Sequence, residues 1–156
     1  MRKPKIISKL KVIFDDPSAG WIWIHIHSTM DTVSIDASYI YNSILGLAEA
    51  LYKLTAVEGK QTVTWQCEPA EYDMRFVRTD TTIQLDLLFF PDAQRSVFQE
   101  PEVKLSVRGN YDEICLPFWR ALRELQGRFP ASEFRERWQE AFPTLQMERL
   151  TAALGK

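Results

Sequence analysis

Cysteine is scarce, with only Cys67 and Cys115 among 156 residues. Two thiols so far apart in sequence do not build a disulfide framework, and the expected compartment is a reducing cytoplasm. Long apolar runs are also missing. No stretch approaches the roughly 20 residues that cross a bilayer, so no membrane partner is expected. Arg2, Lys3 and Lys5 precede an apolar run broken by Lys9 and Lys11. No small-residue cleavage site follows, and this does not read as a secretory signal. Glycines number six and are scattered. The segment "EGKQT", residues 58–62, lacks the earlier glycine and the spacing of a phosphate loop and reads as a helix stop leading into a strand. Histidine is confined to His25 and His27. No repeat, low-complexity tract or Gly/Ser linker breaks the chain, and no cofactor signature is present.

What the chain does contain is 46% hydrophobic, 12% aromatic and 26% charged residues. That composition belongs to an ordered domain, and the length fits one domain over residues 1–156 with a basic N-terminal arm at 1–7. The net charge of −2 hides an asymmetry. Arg2, Lys3, Lys5, Lys9 and Lys11 all precede the first acid, Asp15; taking these five from the 19 basic residues leaves 14 against 21 acidic ones. An acidic body fits a basic protein partner, whereas a nucleic-acid binder would spread Lys and Arg over a face of the fold.

Apolar and polar residues alternate with period two in Leu10/Val12/Phe14, Ile22/Ile24/Ile26, Val33/Ile35/Ala37, Val63/Trp65/Cys67, Tyr72/Met74/Phe76, Ile83/Leu85/Leu87/Phe89 and Val103/Leu105/Val107. Such alternation predicts antiparallel strands with one face on a core. After the third run the period becomes helical, with Ile40, Ile44, Leu47, Ala48, Leu51 and Leu54 on one stripe and Gly59 as a stop. A further helix starts at Asn110 and Glu113, which have capping-box spacing, with Pro117 kinking it or marking its first turn. Shorter helices follow around Phe134 and Trp138 and from Thr144 to Leu154. The expected fold is α+β: an antiparallel meandering sheet of six or seven strands, one long helix after the third strand packed on the apolar face, and a C-terminal cluster of two or three helices.

Turn signals predict strand registers. A turn at "STMD" sets Ile26 opposite Val33, Ile24 opposite Ile35, His25 opposite Ser34 and Trp23 opposite Asp36. "DPSA" sets Val12 opposite Ile22, Lys11 opposite Trp23 and Lys9 opposite His25. "EPAE" pairs Trp65 with Met74, and "RTDT" pairs Met74 with Leu85 and Asp73 with Asp86.

Several places are candidates for chemistry. Residues two apart on a strand share a face with Cα atoms roughly 6.5–7 Å apart, so His25 and His27 can approach one metal ion, with Asp36 diagonal to His25 as a third ligand. Lys9 beside His25 would repel such an ion, and a Lys11–Trp23 cation–π contact is the structural reading of the same strand. Trp21, Trp23, His25 and His27 together form an apolar patch on the polar side, which calls for a cover. The C-terminal helices are the expected cover and a partner is the alternative. Asp73 and Asp86, set opposite each other, would form a carboxylate pair suited to acid–base work or a divalent ion, or an Arg75-bridged surface cluster. The long segment Pro91–Glu102 displays Val97 and Phe98 among polar residues. The expected function is a non-catalytic cytoplasmic protein-binding module, in one form an immunity-like protein neutralising a basic toxin or effector. Partner contact would fall on Trp21, Trp23, His25, His27, Val97, Phe98, Asp73 and Asp86. The alternatives are a metal-dependent enzyme using His25, His27 and Asp36 or the carboxylate pair, and nucleic-acid binding through the basic arm.

Overall fold

The alternating runs become strands and the helical stripe becomes a helix, in a computed structural model that describes residues 5–6, 9–95 and 100–156. The elements are β1 (Lys5–Ile6), β2 (Lys11–Phe14), β3 (Trp21–His27), β4 (Thr32–Ser38), α1 (Ser43–Leu54), β5 (Gly59–Gln66), β6 (Glu71–Thr79), β7 (Thr82–Phe90), β8 (Glu102–Gly109), α2 (Tyr111–Ile114), α3 (Leu116–Arg128), α4 (Ala131–Trp138) and α5 (Thr144–Ala153). Among the described residues the sheet has eight strands in the order β1-β8-β7-β6-β5-β4-β3-β2. From β2 to β8 it is the expected antiparallel meander. The additional strand comes from the basic arm, where Lys5 and Ile6 pair in parallel with Val107 and Arg108.

The β3–β4 register is as expected, with Ile24 opposite Ile35, His25 opposite Ser34 and Trp23 opposite Asp36. Other hairpins differ from expectation because their turns are centred one or two residues away from the turn signals. The β2–β3 connection closes at Ala19 and Gly20, both at positive φ, so that Ser18 bridges Trp21. Gly20 is required there: at φ +80 an added Cβ would lie 2.5 Å from Tyr39 Cδ1. As a result Val12 pairs with Ile26 and Lys11 with His27, four positions from the expected register. An even shift keeps every side chain on its face, which is why the core is unaffected. The β5–β6 turn closes from Cys67 to Ala70, setting Val63 opposite Met74 and Trp65 opposite Tyr72. The β6–β7 turn closes at Asp80, which has φ 55, setting Met74 opposite Leu87 and Arg75 opposite Asp86.

The sheet is nearly split. Only Ser38 and Gln66 pair between β4 and β5. Continuing that antiparallel register would bring Asp36 level with Glu68, which already lies in the Cys67–Ala70 turn. β4 therefore runs past the end of β5, and Ser43 of α1 instead donates its hydroxyl to the Thr64 carbonyl at 2.5 Å.

α1 begins at Ser43 rather than near Ile40, because the Tyr39 N–H still bonds the Gly20 carbonyl and leaves Ile40 exposed in the connection. Gly59, expected as a helix stop, opens β5 at φ 116. At the other end the Asn110 side chain accepts from the Glu113 N–H while Glu113 bonds back to the Asn110 N–H, completing the capping box of α2. Pro117 occupies the first turn of α3, where its missing N–H leaves no intrahelical bond unmade. The apolar faces of α1, α3, α4 and α5 join Ile22, Ile24, Ile26, Ile35, Trp65 and Phe76 in one core.

Candidate functional site

The face of β3 opposite its isoleucines carries a row of rings. Trp23 and His25 stack with centroids 6.0 Å apart and planes within 2°, and His25 and His27 stack at 6.5 Å. Alternation places all three on one side and the β-strand spacing sets their separation. The β2–β3 register decides their surroundings. Asp15, at the end of β2, accepts from His25 Nε2 at 3.0 Å, and His25 Nδ1 lies 2.7 Å from the Ser34 hydroxyl. An acceptor-only carboxylate places the neutral ring's proton on Nε2, so Ser34 donates to Nδ1. His27 Nδ1 meets the Thr32 hydroxyl at 3.1 Å. Exposed cross-strand contacts of this kind contribute about 0.2–1 kcal/mol each, enough to orient rings but not to hold a fold.

Three expectations about this strand are corrected. Lys9 is not paired with His25, and Lys11 faces His27 rather than Trp23, because of the four-position register change. The C-terminal helices do not cover the rings: Phe134 and Trp138 are buried among the core residues of the isoleucine side, and Trp23 remains 43% exposed. Trp21 is half-buried near the hairpin turn, where the Gly20 N–H bonds the Arg137 carbonyl of α4. Asp36, opposite Trp23, makes no hydrogen bond or ion pair with the described residues, and burial pushes its carboxyl above the usual range. It does not join the histidines, both nitrogens of His25 being engaged elsewhere. Among the described residues no three His, Cys, Asp or Glu side chains are placed to hold a metal ion.

The expected Asp73–Asp86 pair does not form, because the turn is centred one residue further along the chain, which moves Asp86 opposite Arg75 and sets Leu88 opposite Asp73. Asp86 instead accepts from Ser106 and Gln84. Asp73 belongs to a buried cluster with Glu71. Arg95 reaches both, with Nη2 and Nη1 at 2.6 and 2.9 Å from the Asp73 oxygens and Nε at 2.9 Å from Glu71 Oε1. Its guanidinium lies 3.8 Å from the centre of the Phe90 ring. The Asp73 hydrogen bond is the main cause that raises the Arg95 pKa further, so this cation is permanent. Thr64 donates to Asp73, Gln66 donates to Glu71, and Arg75 stands 3.8 Å from Asp73. Asp92 accepts from the Gln94 and Arg95 N–H groups and shapes the loop that delivers Arg95. The arrangement is a charge clamp that pins residues 91–95 onto the end of β6.

Sequence reading identified Asp73 but missed Glu71, Phe90 and Arg95. Arg95 lies at positive φ in an irregular segment, where no periodicity fixes where a side chain points. Val97 and Phe98 lie outside the described residues. Neither thiol is activated: burial pushes Cys67 up to about 11 and Cys115 further still. No described helix is long and apolar enough to cross a membrane. Comparisons with protein families, with curated proteins and with solved structures returned no match for this chain.

Proposed function

We propose that the protein is a non-catalytic binding module for a basic protein, and that Trp23, His25 and His27 with Asp15 and Asp36 form its contact surface. The observation that carries this reading is the Trp23–His25–His27 stack, left accessible beside an Asp36 carboxylate that pairs with no cation among the described residues. Rigid aromatic rings bury much area for little loss of side-chain freedom, and they concentrate at protein interfaces. An arginine or lysine placed over Trp23 would meet the ring face and Asp36 together. Neutralisation of a basic toxin or effector, in the manner of an immunity protein, is the narrower form of the same proposal and draws on the acidic body.

The test is purification under native conditions at low salt. The expected result is one basic protein retained in stoichiometric amount, released by salt, and lost with Trp23→Ser while the circular dichroism of the variant is unchanged. Retention that ignores both salt and Trp23→Ser would refute the assigned surface.

A further inference from the structure

The strand next to the ring stack has an open edge. The Ser28 N–H bonds the Asp31 carbonyl at one end of the β3–β4 hairpin, and the Tyr39 N–H bonds the Gly20 carbonyl at the other. Antiparallel ladders alternate bonded and non-bonded pairs, so Val33, Ile35 and Ala37 spend their backbone groups on β3. Thr32, Ser34 and Asp36 aim theirs the other way, as does Ser38, which uses its own on Gln66. Among the described residues the edge has no neighbouring strand beyond Ser38, because β5 has already turned, and no backbone hydrogen bond reaches Thr32, Ser34 or Asp36 from that side.

Natural sheets blunt their edges with lysine, proline, bulges or very short strands. The outer strands here obey that rule: β1 has two residues, and β2 has four and is preceded and begun by lysines. β4 is seven residues long, pairs with β3 without a bulge, and contains neither lysine nor proline. Its exposed side chains are Thr32 and Ser34, and its one charge is Asp36. Past its end, a shallow depression lined by Gln66, Glu68, Pro69 and Asp92 carries two further carboxylates.

We infer that the free edge of β4 receives an extended segment of the partner as an added strand, with a lysine or arginine of that segment placed over Asp36 and Trp23. The inference rests on the protein-binding reading and adds its mode: backbone groups of Thr32, Ser34 and Asp36 supply affinity, and the carboxylates select a basic segment. A second copy of this chain is a poorer occupant. An antiparallel copy centred on Ser34 would bring its own Ser28–Asp31 turn to the level of Ala37, where the Cys67–Ala70 turn already stands.

The probe is a short end-blocked peptide alternating valine with lysine, compared with one alternating valine with glutamate, and the readout is amide hydrogen exchange by NMR on the unmodified protein. Saturation with the lysine peptide is expected to slow exchange at Thr32, Ser34 and Asp36 by at least about tenfold, the glutamate peptide having little effect. Ser34→Pro deletes the hydroxyl and an outward N–H, a change edge strands tolerate, whereas Ser34→Ala removes the hydroxyl alone, so the two differ by the N–H. Binding weaker by about tenfold in the proline variant than in the alanine variant would read the lost N–H. The inference is overturned by no binding at about 1 mM lysine peptide, by equal binding of the glutamate peptide, or by binding without protection of those three amides. Protection that instead grows with protein concentration, before any peptide is added, would assign the edge to a second copy and overturn it too. If it fails while native co-purification still depends on Trp23, the ring face binds without strand addition; if co-purification is also empty, the protein-binding reading itself falls.

Discussion

Replacing Arg95 with methionine separates the charge of the clamp from its packing. Methionine keeps an unbranched apolar stem over Phe90, and Thr64 and Gln66 still donate to Asp73 and Glu71. What disappears is a cation held by hydrogen bonds of 2.6, 2.9 and 2.9 Å to carboxylates whose side chains are 4% exposed. Breaking a fully buried ion pair costs about 3–5 kcal/mol because a charge is stranded. The Arg95 side chain is itself 31% exposed, so water enters where it leaves, and the expected loss at pH 7 is reduced to about 2–3 kcal/mol. Urea unfolding followed by tryptophan fluorescence measures it. A loss below about 0.5 kcal/mol would refute the view that Arg95 neutralises this cluster.

Asn110→Ala removes one half of the α2 capping box and is expected to lower stability by about 1 kcal/mol, read as a shift of the urea midpoint with an unchanged slope. Thiol labelling should be slow at neutral pH in the folded protein. Cys67 is expected to react faster as the pH climbs toward about 11, and Cys115, fully buried, to react only on unfolding, as mass spectrometry of labelled peptides would show. Equal, rapid labelling of both at pH 7 would contradict the burial described.

The sequence was most informative where one physical signal acted alone. Alternation in β3 and β4 specified which residues enter the core, and because the "STMD" turn is a simple two-residue connection, their register followed as well. Where the turn signals pointed to one centre, the chain instead placed Ala19, Glu68 and Asp80 at positive φ and turned one or two residues away from it. Each error was an even number of positions, so faces were preserved while cross-strand neighbours were not. That distinction matters for function. The core depends on faces, and Ile24 needed only the right one; the Asp15–His25 contact and the Asp73–Arg95 clamp depend on neighbours. Arg95 was beyond reach for a further reason. Its partner lies 22 residues away along the chain, and the loop between β7 and β8 has no repeating geometry to relate the two.

The single residue pair at Ser38 and Gln66 governs how order passes through the molecule. A hydrogen-bonded ladder is cooperative because each strand templates the next, and that cooperation runs from β8 to β5 and from β4 to β2 with little between. The link between the two halves is made overhead, where α3 lies on β2, α1 lies on β5, and the two helices touch. Side-chain packing, rather than the backbone, is thus the load path between the part that bears the charge clamp and the part that bears the rings. The protein is in effect two small sheets sharing one helical roof, and a disturbance in one sheet is felt by the other through leucines and phenylalanines.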